Sequence, residues 1–561
     1  MAENPASAGA HPGRLARPVA ILLLAVFALG WFGPAGERRL IRPDEGRYAE
    51  IAREMVATGD WLTPRLNGYK YFEKPALQYW MTAAAFSAFG ISDAAARIWP
   101  ALTGFLGVLL VFFAGNRILG PPSGLIAAAA LAGNFIYALV GHALTLDMGV
   151  SFFLSASVLA FALAQRDDAS PAETRNWMLG AWALTALAVL SKGLIGIVLP
   201  AGAVFLYVLA ERDWRLIGRM QLLAGGALFL AITAPWFVWV SRANPEFFDF
   251  FFIHEHFERF LTRAHGRYQP AWYFVPILLA GMVPWTIALF PALVHAWRRT
   301  GAQRFHAGRF LLAWCAVVFA FFSASGSKLP SYILPMVPAL ALLIGHYLAR
   351  AGGRVAMAQA LAMALLGMAV MFWAPHLVDF ADASLPAELM RAAVPWLAGA
   401  GLALAALAAV SAAAWWKQFV IGGALALGAG GAVFAQLVLA AHGELSPVYS
   451  AYHSVQRIRP LVDAAGPGVP FYMVNTFDHT LPYYLGRTVT MVGDKDELAI
   501  SIGWEPAKFI PDLASFARAW RSDREAFAML PAREFEEIRN MPGLSMQVIA
   551  TDPRRVFVKK P

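Results

Sequence analysis

About thirteen apolar windows, each long enough to cross a bilayer, dominate this chain of 561 residues. They lie near 17 to 33, 95 to 115, 121 to 140, 146 to 165, 176 to 190, 192 to 211, 219 to 240, 271 to 296, 307 to 324, 331 to 350, 355 to 374, 391 to 414 and 418 to 440. A membrane-spanning helix needs about 17–25 such residues. The chain therefore reads as a polytopic α-helical membrane protein. Only 14% of its residues are charged, against roughly a quarter in soluble proteins, which excludes an ordinary soluble fold. Arg14 and Arg17 before VAILLLAVFALGWFG resemble a signal peptide, but no small-x-small cleavage site follows, so an uncleaved first span is expected.

Loop charge sets the sidedness. With the N-terminus inside, alternate loops carry Arg117, then Arg166 and Arg175, then Arg212, Arg215 and Arg219, then Arg298, Arg299, Arg304 and Arg309, then Arg350 and Arg354, and finally Lys417. Every inside loop is basic, as the positive-inside rule requires. The net charge of +9 is thus explained by orientation, and no nucleic-acid partner is expected. Cys315 lies inside an apolar span, which leaves no disulfide and no cysteine metal site.

The opposite loops are a different population. They hold the stretch Ile41 to Pro75, the GHALTLD turn with His142 and Asp147, the SKG turn with Lys192, the segment 242–270, and the SGSKLPSY turn with Lys328. Ionisable groups at membrane depth are costly unless they face a partner or a polar cavity. In RPDEGRYAEIAREM, Pro43 suits a helix start and the apolar spacing gives an amphipathic helix lying on the membrane. Ala76 to Gly90 is too short to span and reads as interfacial or re-entrant.

Within this face Asp44 and Asp147 are the candidate catalytic acids, although a helix-capping acid would also account for Asp44. Arg47, Lys74, Lys192, Arg259, Arg263 and Lys328 run against the positive-inside trend and imply an anionic ligand. His254 and His256 of HEH, with Glu73 from YFEKP, could ligate a divalent metal, provided the backbone there is irregular. His142 reads as a hydrogen-bonding residue rather than a ligand.

After residue 440 the pattern changes. VPFYMVN, TVTMVG and MQVIAT read as strands and DLASFARAWRSDREAFAML as helix, giving a small C-terminal α/β domain at 441–561 on the outer side of the 1–440 membrane domain. Asp478, His479 and Tyr484 read as a solvated loop.

The stretch RPDEGRYAEIAREMVATGDWLTPRLNGYKYFEKPALQYW resembles the first external loop of lipid A aminoarabinose transferases. These belong to a superfamily of membrane-embedded glycosyltransferases that includes protein O-mannosyltransferases. LTLDMG, LSKG, HEHFERF and SKLPSYILP resemble the same family, and the likeness covers about the first 350 residues. It implies thirteen spans, interfacial helices in the first periplasmic loop and a periplasmic C-terminal domain in the bacterial inner membrane. It also implies transfer of 4-amino-4-deoxy-L-arabinose from undecaprenyl phosphate to lipid A phosphates, which gives resistance to cationic peptides and polymyxin.

Carried over by motif, Asp44 and Asp147 would be the important acids. Arg47, Tyr71 and Lys74 would surround the donor phosphate, and Glu73, His254 and His256 would form a zinc-type site. A monomer is expected. Rival readings are an O-mannosyltransferase-like enzyme, another polyprenyl-phosphate-sugar transferase, or a transporter; the last lacks the internal repeats it needs.

Overall fold

The computed structural model describes residues 13–258, 269–298, 303–350 and 352–561, with side chains described from residue 21 onward and not at 256–258. Helix lies under each of the thirteen apolar windows. Among the described residues, eight helices are long and apolar enough to span a membrane. Two helix pairs are bent at a short break, 123–141 by 62° and 271–297 by 111°, and would bring the number to ten if each pair is one span. The first bend falls at Gly133, after which Asn134 caps the next helix by accepting from the Tyr137 amide. The windows at 176–190 and 192–211 nearly touch because two residues, Gly193 and Leu194, separate their helices; Gly193 has a φ of +85°, a conformation that disfavours any side chain.

Small residues let these helices close in. A Cβ built on Gly133 would lie 2.1 Å from the Gly428 carbonyl oxygen, so two backbones meet there without side chains between them. Ion pairs then tie loops of like charge pattern together at each end of the bundle. Arg304 meets Asp167 at 3.8 Å and Arg309 meets Glu211 at 2.6 Å at one end, while Lys192–Asp147 and Lys70–Glu246 pair at the other.

Between the first two spans, helix α1 (Asp44–Thr58) begins two carboxylates into its first turn, favourable at a helix N-terminus. It does not lie on a membrane surface. Residues Glu45 to Met55 are all buried, including four charged side chains besides Glu45 itself, because the C-terminal domain covers the polar face. A hairpin of β1 (Arg65–Leu66) and β2 (Tyr69–Lys70) follows, then helix α2 (Leu77–Phe89), the short apolar segment.

One buried ion pair fixes this loop on the bundle. Arg97, in helix α3 (Asp93–Ile118), grips Glu45 through Nε at 2.7 Å and Nη2 at 2.8 Å. Its remaining donors reach the carbonyls of Ala35, Arg38 and Arg39, and Glu45 also accepts from the amides of Ile41 and Leu144. Such a pair is tolerable away from water because every donor and acceptor is used. Burial alone would raise the Glu45 carboxyl, but Arg97 outweighs it and holds it at about 2.

The C-terminal domain carries a six-stranded sheet: β3 (Phe471–Val474), β4 (Thr490–Val492), β5 (Phe509–Ile510), β6 (Phe527–Pro531), β7 (Gln547–Thr551) and β8 (Arg555–Lys559). Its order is β5-β4-β3-β6-β8-β7, parallel from β5 to β6 and antiparallel at β8 and β7. The expected strands appear, but the long expected helix ends in a strand. Only Leu513–Ser522 is helical; FAMLP becomes β6, buried on both faces in mid-sheet, where a continuous apolar run does not betray its period.

The expected solvated loop at 478–484 is also corrected. Asp478 is buried and pairs with Arg555 at 2.8 Å, and the Tyr484 hydroxyl accepts from the Leu40 amide and donates to Asp93. Cys315 is buried, as its apolar setting implies.

Replacing Arg97 by Met leaves Glu45 buried without its partner and should lower stability by about 3–5 kcal/mol. Thermal unfolding of the detergent-solubilised variant checks this, and the added variant Glu45→Leu should recover part of the loss. The depressed Glu45 carboxyl contributes stability above its unfolded value of about 4.3, lost as pH falls toward 2.

Candidate active site

Asp44 occupies the first turn of α1 with its side chain 38% exposed, the open edge of an otherwise buried cluster. Three residues on, one helical turn away, Arg47 donates to it through Nη1 at 2.9 Å. The same guanidinium turns its other edge to the C-terminal domain, giving Nε to Glu497 Oε1 at 2.7 Å and pairing Nη2 with Oε2 at 2.5 Å. Behind Glu497 stands His479, its Nε2 3.1 Å from Oε1. The approach is close: a Cβ on Gly46 would lie 2.7 Å from the His479 carbonyl, so only glycine permits this docking. Neither Glu497 nor the contact of His479 with it was legible in the sequence, since 450 residues separate Glu497 from Arg47.

Tyr71 and Tyr79 are buried beside this group. Their hydroxyls have no hydrogen-bond partner among the described residues, and both couple electrostatically to Arg47 and Glu497. Burial holds the Tyr71 phenol well above its ordinary value, so it is a neutral donor and acceptor. Lys74 donates to the Glu73 carbonyl at 2.7 Å and to Glu255 Oε2 at 3.1 Å. Glu255 projects from a wide π-helical turn, Asp249–Glu258, on which His254 stacks against Phe250. Among the described residues no three His, Cys, Asp or Glu side chains meet in a metal-binding group. The His256 side chain, and Arg259 and Arg263, lie outside the described residues.

Asp147 forms a second group. It sits in the first turn of its helix, Leu146–Ala164, ion-paired to Lys192 and accepting from Ser331 Oγ at 2.6 Å. The Lys192 ammonium also rests 4.6 Å from the centre of the Tyr332 ring. His142 is not part of it: buried, it bonds the carbonyls of Ala138 and Trp31 and the Gln436 amide. Lys328 is buried too, giving its ammonium to the carbonyls of Gln269 and Ser325.

With this geometry in view, the decisive likeness covers the whole chain. A crystal structure of ArnT from Cupriavidus metallidurans bound to undecaprenyl phosphate is 36% identical and superposes with a TM-score of 0.91, over 97% of this chain and 98% of that one. The chain belongs to the aminoarabinose transferase family. The apo form of the same ArnT gives a TM-score of 0.90. An undecaprenyl phosphate-α-4-amino-4-deoxy-L-arabinose arabinosyl transferase from Yersinia enterocolitica is 31% identical over 407 residues, 68% of this chain and 70% of the relative.

One from Edwardsiella ictaluri is 34% identical over 336 residues, and there the match spans 59% of each chain. Two family profiles divide the sequence. That of dolichyl-phosphate-mannose-protein mannosyltransferases matches residues 73–239, which include Lys74, Asp147 and Lys192. That of the aminoarabinose transferase C-terminal domain matches 455–560, which include His479 and Glu497. Arg47 lies in neither profile, and its partner Glu497 comes from the aminoarabinose transferase C-terminal domain.

A buried acidic pair further along α1 ties site to domain. Arg53 grips Glu50 at 2.6 and 2.7 Å and donates to the Gly486 carbonyl, while Glu54 accepts from the Gly68 amide and shares a side-chain hydrogen bond with Glu50. Burial, with repulsion from Glu50, pushes the Glu54 carboxyl up to about 8. The folded chain thus holds an extra proton above the unfolded value of about 4.3, and stability falls as pH rises from there toward 8. Glu54→Gln should flatten that decline: thermal midpoints should match the parent near pH 5 and exceed it near pH 9, by calorimetry or intrinsic fluorescence.

Proposed function

We propose that this protein transfers 4-amino-4-deoxy-L-arabinose from undecaprenyl phosphate to phosphate groups of lipid A. The observation that carries this is Arg47, buried between Glu497 and the open edge formed by Asp44, in a chain that matches a lipid-phosphate-bound ArnT almost end to end. The reaction is a single displacement at the anomeric carbon. An acceptor phosphate oxygen forms a bond to that carbon as its bond to the lipid phosphate oxygen breaks, and the lipid phosphate leaves with the electron pair.

Each residue then has a task. A phosphate acceptor is already anionic at neutral pH and needs no general base. Asp44 instead stabilises positive character developing on the sugar and orients it. Lys74, Arg47 and Lys192 receive the leaving phosphate by charge-assisted hydrogen bonds, with the Tyr71 hydroxyl as a neutral donor. Two of these cations are paired with carboxylates that orient their ammonium groups, Lys74 with Glu255 and Lys192 with Asp147. Asp147 holds Lys192 in place, and Lys328, Arg259 and Arg263 extend the basic surround.

The proposal includes thirteen spans, a cytoplasmic N-terminus, and the C-terminal domain at the periplasmic face of the inner membrane, supported by the basic loops of one end. It also includes a monomeric enzyme. Glu73, His254 and His256 are the proposed ligands of a divalent metal, zinc first among them, that would brace the loop at its junction with the π-helical turn; no chemical step runs through it.

Asp44→Asn, in membranes given labelled lipid-linked aminoarabinose and lipid A, should lose about 10²- to 10³-fold in transfer while remaining folded. Full activity in that variant would remove Asp44 from its role. Elemental analysis of the purified protein should find one bound metal per chain that chelator strips, with a lower thermal midpoint afterwards; unchanged content and midpoint would remove the metal.

A further inference from the structure

At the end of the bundle that carries the basic loops, two helices bring a second polar group together, remote from Asp44 and Arg47. His295, in the last turn of Thr286–Trp297, and His346, one turn before the end of Val337–Arg350, place their ring centres 5.4 Å apart. Arg350 folds back along its own helix, with Nη1 2.6 Å from His346 Nδ1 and Nη2 3.3 Å from the Leu119 carbonyl oxygen. Arg298 follows directly on the first helix. The imidazoles are half-buried and both arginines are exposed, so the group can be reached from the headgroup level of a bilayer.

Its chemistry is one-sided. The charged groups that act on the two rings are Arg350 and Arg298, with no carboxylate among them. At the same end of the bundle Arg304 and Arg309 have acids, Asp167 and Glu211, whereas among the described residues Arg298 and Arg350 form no ion pair. A guanidinium offers five donors, and a neutral imidazole one donor and one acceptor. Donors therefore outnumber acceptors, and an acceptor-rich anion completes the set. Sidedness accounts for arginines in these loops, but it does not call for two histidines packed between helices beside them.

The adjoining surface is apolar and continuous. Ile287, Phe290 and Val294, 42%, 74% and 42% exposed, lie three or four residues apart, on one face of the helix that leads to Arg298. Val294 also lines a groove of about 520 Å³, with Leu206, Leu293, Leu312, Ala316 and Trp297 among its other walls. Glu211 borders this groove too, but Arg309 occupies it at 2.6 Å and lies 5.2 Å from the centre of the Trp297 ring. An exposed tryptophan at this level is what a membrane–water interface favours.

We infer that this is a binding site for one anionic phospholipid, its phosphate held by Arg298, Arg350 and the two histidines and one acyl chain running over Val294 into the groove. Basic pockets between helices hold such headgroups by charge-assisted hydrogen bonds. A zwitterionic headgroup would carry its ammonium into a cluster of cations with no carboxylate to receive it, so a lipid of the phosphatidylglycerol type is preferred over phosphatidylethanolamine. On the proposed topology the lipid belongs to the cytoplasmic leaflet, opposite the reaction.

Native mass spectrometry of the full chain in detergent, titrated with dioleoyl phosphatidylglycerol or dioleoyl phosphatidylethanolamine, tests this without reference to transfer activity. The parent should bind one phosphatidylglycerol more tightly than phosphatidylethanolamine. Arg298→Gln combined with Arg350→Gln should weaken phosphatidylglycerol binding by about 30-fold, about fivefold per arginine. Ala316→Phe, which fills the groove from an exposed position, should weaken it as well, and unchanged affinity there would overturn the path given to the chain. Arg354→Gln removes an exposed charge from the neighbouring loop and should bind as the parent does. A loss in Arg354→Gln as large as in the double variant would mark a general response to loop charge and overturn the site. So would equal affinity of the parent for the two lipids, a result that does not depend on any variant folding.

Discussion

Arg97 and Glu45 form the interaction on which the site depends. A guanidinium with no exposure, spending its donors on one carboxylate and three carbonyls, joins α3 of the bundle to the start of α1 and to residues 35–39. The same end of α1 presents Asp44 and Arg47, so the pair fixes the level and rotation at which the reactive side chains stand. An ion pair in this setting adds little net stability over a packed apolar alternative. What it adds here is position, since every bond has a defined direction and a slipped helix would orphan several at once.

The second constraint is the C-terminal domain. Asn67 exchanges hydrogen bonds with both backbone groups of Val489, Arg65 reaches Glu505 at 3.2 Å, and Arg42 donates its amide to the Tyr449 carbonyl. These contacts turn what would be a surface loop into an interior one. They explain why α1 can carry Glu50, Arg53 and Glu54 in burial, an arrangement untenable for a helix lying on a membrane. The polar face has a partner, and its groups satisfy one another and the domain's carbonyls.

Much of this was legible in the sequence, and the division is physical. Spans are local facts: each apolar window suffices for its own helix, and all thirteen windows carry one. Asp44, Arg47, Lys74, Asp147 and Lys192 stood out because charge at membrane depth is anomalous by itself. Glu497 carried no such signal in the hydrophilic run DKDELAIS, where an acid is ordinary. FAMLP misled for the opposite reason, because a strand buried on both faces has no alternation to read. Asp478, His479 and Tyr484 looked like loop residues because their partners, Arg555, Glu497 and Leu40, are remote in sequence, and remote pairing is what a single sequence least reveals.

The separation of Arg47 from Glu497 by 450 residues has a consequence in time. At about 5–20 residues per second of synthesis, the loop emerges roughly 20–90 s before the segment that will enclose it. Until then Glu50, Glu54 and the phenols of Tyr48 and Tyr71 stand in water, charged or hydrated as free side chains are. The reactive centre is therefore not inherited from the membrane bundle but completed at the last stage of the chain's maturation, when the sheet forms and β8 brings Arg555 to Asp478. A polypeptide stopped short of that strand would have all its spans and no finished site.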